Sequence, residues 1–217
     1  MNEGPLIWKP MVEAACDVYD SPNRFSAAGV EFSTEKVGDL DCFIFAGTNA
    51  GKSDSKIQRL AARLTDWARN CRRGRKSVTV RGRKVKVHSG YWEGAGIAMT
   101  HLTAFAERHE EIGIIGHSAG AAEAALAGIQ IESRFPGKIK RLCCAAMPRI
   151  GNQALSNAFE SLFPMADRYR LYGRKRDPIC FLPVFGYKFL APITWLPSKL
   201  DGKLDHGCSQ YAQLVNE

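Results

Sequence analysis

Residues 111 to 120 read Glu-Ile-Gly-Ile-Ile-Gly-His-Ser-Ala-Gly. Ile112, Ile114 and Ile115 form a short apolar run of the kind a strand buried on both faces shows. The run enters a Gly-x-Ser-x-Gly turn, and Ala119 to Ile129, carrying the single charge of Glu123, continues it as an alanine-rich helix. Strand, tight turn and helix in that order form a nucleophile elbow, in which a serine sits at a strained corner. Gly116 and Gly120 are then the positions where a β-carbon would strike the neighbouring strand or helix, and Ser118 is the candidate nucleophile. The pentapeptide alone is a weak signal; its setting between strand and helix gives it weight.

Outward from the elbow, helical and extended patterns alternate. A helix is expected over about 6 to 18, strands near 30 to 34 and 41 to 46, and a helix from about 56 to 70. A valine-rich hairpin precedes a long helix from Tyr91 to Glu110. After the elbow strand (111 to 117) and its helix (119 to 134) come a strand from Arg141 to Met147 and a helix over 152 to 162. A strand from Arg168 to Gly173 and a last helix over about 206 to 216 complete the series. Such alternation implies an α/β fold with a mostly parallel central sheet and helices on both faces. Residues 178 to 200 hold four prolines in a dense apolar stretch, which forbids a long helix there.

A chain of 217 residues with 45% hydrophobic content suits one globular domain, 1 to 217, able to bury a core without metal or disulfides. Neither a leader pattern at the start nor a membrane-length apolar stretch is visible, so a cytoplasmic location is expected. Seven cysteines is an odd number, and Cys42, Cys143, Cys144 and Cys180 lie in apolar runs, which reads as a reducing compartment. With no Cys-x-x-Cys or His-x-x-x-His pair, no metal is expected.

The net charge of +8 is local. Residues 69 to 86 carry nine Lys or Arg and no acid, against 21 basic and 22 acidic residues elsewhere. Ser77 to His88 alternates valines with polar residues around Arg81-Gly82, as two short strands with a basic turn would. A charge-protected edge hairpin is the plain reading. Docking on an anionic lipid surface is the functional one, and no nucleic-acid partner is expected, because no aromatic residue is interleaved with the charges.

A serine hydroxyl is a poor nucleophile near neutral pH, so Ser118 needs a histidine base, and the histidine an acid to fix its tautomer. The topology that goes with this elbow runs Ser, then Asp or Glu, then His. Of the five histidines only His206 follows Ser118. His88, His101 and His109 precede it and read as structural, and strand alternation aims His117 elsewhere. Among the acids between Ser118 and His206, Glu123, Glu132 and Glu160 fall in helices and Asp167 precedes its strand. Asp177 follows the Tyr169-Arg-Leu-Tyr-Gly strand, at the end where catalytic loops gather. Asp205 and Asp201 are the alternatives, with Asp205 handicapped by adjacency to His206.

Taken in order, several segments resemble the class 3, or fungal-type, lipases of the α/β-hydrolase superfamily over about residues 40 to 212. They are Phe45-Ala-Gly-Thr48, Val87-His-Ser-Gly-Tyr91, the elbow Gly116-His-Ser-Ala-Gly120, Pro148-Arg-Ile-Gly-Asn152, Asp177-Pro178, and His206 with Tyr211. The catalytic argument required nothing of Pro148 to Asn152, which makes that segment the most telling. Ala46 stands where the family usually has Arg, and Ala119 where Leu is common. The resemblance implies hydrolysis of lipid or small esters through an acyl-enzyme, without a cofactor. It also implies an oxyanion hole from the backbone N-H groups of Thr48 and Ala119, and a lid near Asn49 to Lys56. The apolar 181 to 197 stretch is a rival cover, whose Phe181, Phe185, Phe189 and Trp195 either line an acyl pocket or complete the core.

Two other classes compete. Ala46 to Ser53 approximates a phosphate-cradling P-loop, but its first glycine is Ala46 and no strand supplies the magnesium-binding acid. Lipid binding without catalysis would leave a complete triad without a purpose.

Overall fold

A computed structural model describes residues 7–21, 24–47, 74–198 and 206–215. In chain order these form helix α1 (Trp8–Asp17), strands β1 (Phe25–Ala27), β2 (Val30–Val37) and β3 (Leu40–Phe45), and the hairpin β4 (Arg75–Val80) and β5 (Arg83–His88). Helix α2 (Ser89–Arg108), strand β6 (Ile112–His117), helix α3 (Ala119–Arg134), strand β7 (Ile139–Ala145) and helix α4 (Gln153–Leu162) follow. Strand β8 (Tyr169–Arg174), a 3-10 turn (Pro178–Phe181), strand β9 (Thr194–Leu196) and helix α5 (Cys208–Leu214) complete the order. The helix expected over 56 to 70 lies outside the described residues.

Among the described residues seven strands make one sheet in the order β1-β2-β3-β6-β7-β8-β9, antiparallel from β1 to β3 and parallel from β3 to β9. The α/β architecture is therefore as the sequence implies. Side chains sort by the two-residue period of a strand. Phe43, Phe45, Ile112, Ile114, Leu142 and Cys144 pack under α2, α3 and α4. Cys42, Ile44, Ile115, Cys143 and Ala145 face α1 and α5. All six residues of β6 are buried, which accounts for its unbroken apolar run.

The basic hairpin is no edge of the main sheet. It forms its own two-stranded ribbon, turning at Arg81 (φ 44°) and Gly82 (φ 77°), the positive dihedrals a tight hairpin turn requires. Val80, Val85 and Val87 enter the core beneath it, while Lys84 and Lys86 stay outside. The Pro148 to Asn152 segment fastens it. Gly151 bridges Val87 on one side and Lys188 on the other, and a β-carbon there would lie 2.8 Å from the carbonyl oxygen of Lys86. Asn152 Oδ1 accepts from Lys86 N (3.1 Å) and from Leu155 N (3.2 Å), capping α4.

A disulfide joins Cys16 of α1 to Cys208 of α5, with Cα atoms 5.4 Å apart across 192 residues of sequence. This corrects the reading of the cysteines as those of a reducing compartment. Cys42, Cys143, Cys144 and Cys180 are free and buried; α1 and α5 pack together on one face of the sheet and so bring Cys16 and Cys208 into range, and Cys71 lies outside the described residues.

Candidate active site

The elbow geometry follows from its two glycines. Ser118 adopts φ 59° and ψ −126°, a conformation L-residues rarely accept, and its N-H is tied to Ala145 O at 2.9 Å. A β-carbon on Gly116 would fall 2.7 Å from Ala121 N; one on Gly120 would fall 2.5 Å from Phe45 O. Those glycines let α3 and β3 close around the corner and hold the serine above the carboxyl edge of the sheet.

His206 enters from the segment preceding α5, and its Nε2 lies 2.9 Å from Ser118 Oγ. On the other side of the ring, Nδ1 lies 2.9 Å from Asp177 Oδ2 and 3.1 Å from Oδ1. Asp177 is fully buried, so its ionised form depends on partners. Ile179 N donates to Oδ1 (2.9 Å), closing the Pro178–Phe181 turn, and the Tyr211 hydroxyl donates to Oδ2 (2.7 Å). Asp177 is thus both turn cap and histidine partner. Asp201 and Asp205 lie outside the described residues.

The support around His206 is denser than sequence reasoning foresaw. Arg174, buried at the end of β8, donates through Nη1 to Gln210 Oε1 (3.1 Å) and through Nε to Pro197 O (3.1 Å). The same Gln210 oxygen accepts from Gly207 N at 3.2 Å, so the residue after His206 is clamped to the sheet. No periodicity or motif announces that clamp. His117 needs a correction: alternation does turn it to the α1 and α5 face, but His206 arrives over that face, and the two ring centroids are 5.2 Å apart. Tyr19 and Tyr211 flank the His117 ring edge-on. The other histidines are structural: His88 accepts from Tyr91 N at the start of α2, His101 packs on Phe32, and His109 meets Asp41 at 3.1 Å. Glu132 is likewise structural, paired with Arg168 at 2.8 Å.

Ala119 N is at the first position of α3, directly after Ser118, where a helix N-terminus favours negative charge. Thr48, the second expected oxyanion donor, and the expected lid at Asn49 to Lys56 lie outside the described residues. The preceding Gly47 is held at the elbow by its N-H to Tyr19 OH, 3.0 Å. Phe181, Phe189 and Trp195 form an aromatic cluster of their own (centroids 5.5 to 6.0 Å), with Arg149 over Phe189 at 4.6 Å. They join neither buried core cluster, and Phe185 stands apart from them in solvent. Among the described residues no cluster of three His, Cys, Asp or Glu side chains could hold a metal.

A serine corner on a mostly parallel sheet, met by a histidine and a buried aspartate from later loops, defines an α/β-hydrolase. The family model described as lipase (class 3) matches residues 43–186, well over half of the sequence, and the chain belongs to the class 3 lipase family. That match runs through the P-loop-like segment and leaves the nucleotide reading without support. A secreted mono- and diacylglycerol lipase of Malassezia globosa is 30% identical over 91 residues, which take in 42% of this chain and 30% of that relative. Lipase II of Rhizopus niveus superposes with a TM-score of 0.70 at 17% identity, covering 89% of this chain and 81% of the other. Rhizomucor miehei triacylglyceride lipase gives 0.69 at 16%, covering 91% and 82%. Likeness at such identity speaks for the fold. The expected cytoplasmic, reducing location is overturned: the Malassezia relative is secreted, and the Cys16–Cys208 disulfide belongs to oxidising surroundings.

Proposed function

We propose that the chain is a serine carboxylic-ester hydrolase acting on acylglycerols or related lipid esters. The observation that carries this is the continuous line of contacts from Ser118 Oγ through His206 to the buried Asp177. In the first step Ser118 Oγ attacks the ester carbonyl while His206 Nε2 takes its proton. The tetrahedral oxyanion is met by Ala119 N-H, with Thr48 N-H as the proposed second donor. Collapse expels the alcohol, which leaves with the proton from His206. Water, deprotonated by the same nitrogen, then attacks the acyl-enzyme, and the carboxylic acid and free Ser118 result. Asp177 stays ionised and holds the imidazolium in place. No cofactor takes part in this scheme. Family membership and the diacylglycerol lipase relative support a glyceride substrate.

The exposed basic hairpin favours a second reading of the head group, a phospholipid ester at an anionic surface. A panel of p-nitrophenyl esters of increasing acyl length, run on wild type and Ser118→Ala, tests the chemistry: turnover that persists without Ser118 overturns it. Fatty acid release from diacylglycerol compared with phosphatidylglycerol then decides between the two head groups.

A further inference from the structure

Val184 and Phe185 are large apolar side chains left 52% and 88% exposed. They sit at the tip of the loop that follows β8, and the base of that loop is fixed. Arg149 N donates to Leu182 O (2.8 Å) and Lys188 N to Gly151 O (2.7 Å). Tyr187 is buried against His88, ring centroids 5.9 Å apart, with the Arg75 guanidinium 5.8 Å from its own centroid. Gly186 turns the chain at φ 71°, under the same guanidinium. A rigid base under two solvent-facing hydrophobes is an unfavourable arrangement for water alone.

The same base is stitched to the basic hairpin, because Gly151 bridges both Lys188 and Val87. Arg75, Lys76, Arg81, Arg83, Lys84, Lys86 and Lys188 are all exposed, and neither 69 to 86 nor 178 to 200 contains an acidic residue. Position completes the case. Strands β6, β7 and β8 run parallel, so Ser118, the Ala146 to Asn152 segment and the Val184-Phe185 loop all leave the carboxyl edge of the sheet. We propose that this apolar tip and the β4–β5 hairpin form one docking surface for an anionic phospholipid bilayer. Val184 and Phe185 enter the acyl boundary, the cations meet headgroup phosphates, and the edge carrying Ser118 is turned to the lipid. The inference rests on the lipid-ester reading above and specifies how the substrate surface is met.

Vesicle sedimentation with the Ser118→Ala protein separates docking from turnover. Vesicles of phosphatidylcholine with roughly a third phosphatidylglycerol are compared with pure phosphatidylcholine. Expected are binding to the anionic vesicles only, a loss of about tenfold in Phe185→Ser, and a similar loss in Arg83→Glu/Lys84→Glu or on raising salt. Each substituted side chain is exposed, and an unchanged Tm verifies the fold. Equal binding to neutral vesicles, or anionic binding indifferent to Phe185→Ser, overturns the proposal. Hydrolysis of p-nitrophenyl acetate in free solution by otherwise wild-type protein is expected to be the same with and without Phe185→Ser; a fall in that rate places Phe185 in the site and also overturns the docking role. Absent turnover with intact vesicle binding sinks the hydrolase reading and leaves the surface standing.

Discussion

Tyr211 and His206 share one oxygen of Asp177: the phenol donates to Oδ2 at 2.7 Å, and His206 Nδ1 lies 2.9 Å from the same atom. Burial raises the phenol's pKa, so Tyr211 remains a donor throughout the working pH range. The carboxylate is thereby fixed in rotation, and the histidine with it. A hydrogen bond to a charged group contributes about 1.5–3 kcal/mol. Tyr211→Phe should lower kcat about tenfold with little change in KM, and steady-state kinetics on a soluble ester checks it. An unchanged kcat would show that Ile179 N and the turn suffice to hold Asp177.

Ser118→Ala should abolish turnover, and Asp177→Asn should reduce kcat by a factor of about 10⁴ by permitting the wrong histidine tautomer. Circular dichroism and Tm would establish that the fold survives. Near-normal kcat in either variant removes the residue from its role.

Glu123 on α3 rests its carboxyl against Gly94 of α2, and burial raises its pKa from 4.5 to about 8. The folded state therefore holds this proton over a range in which the unfolded chain has released it. Below pH 4.5 both states are protonated and nothing is lost; from there up to about 8 the folded state loses stability relative to the unfolded. Glu123→Gln should flatten that decline and raise Tm at pH 8 more than at pH 5. Parallel melting curves of the two proteins against pH would refute it.

Gly120→Ala places a methyl 2.5 Å from Phe45 O, a backbone atom that cannot swing aside. A loss of about 3 kcal/mol or more is expected, at the upper end of overpacking, readable as a lower denaturant midpoint. Gly128→Ala, whose nearest neighbour would be Ile139 Cδ1 at 3.5 Å, is the control that should be tolerated.

Cys16→Ser/Cys208→Ser should cost about 2–4 kcal/mol. Cys42 and Cys180, their thiols pushed up to about 12 by burial, together with the buried Cys143 and Cys144, should resist alkylation in the native protein. Rapid labelling of any of the four without denaturant would contradict their burial.

The sheet and the elbow were legible because their causes are local. The run Ile112 to Ile115 and the glycines at 116 and 120 answer to backbone sterics, which act within a few residues. Elimination pointed to His206, and position after a strand to Asp177, the two groups the fold brings to Ser118. Contacts between segments far apart in sequence were not legible. Cys16 with Cys208, the His117 ring against His206, and the Arg174 clamp on Gln210 depend on how α1 and α5 lie on the sheet, which no pattern in either helix encodes. Residues Thr194–Leu196 form a short edge strand inside the proline-rich stretch because Pro192 and Pro197 lie outside it and leave its donors intact.

Helices α1 and α5 share one face of the sheet although 192 residues separate their linked cysteines. During synthesis α1 leaves the ribosome long before its neighbour. Ser118 and its elbow can form early, but until the last of the described segments emerges the nascent chain has neither the base, nor the phenol that fixes the acid, nor the thiol that seals the face. The enzyme we propose is therefore silent until α5 has emerged, because His206 and Tyr211 come with the helix that completes the second hydrophobic layer.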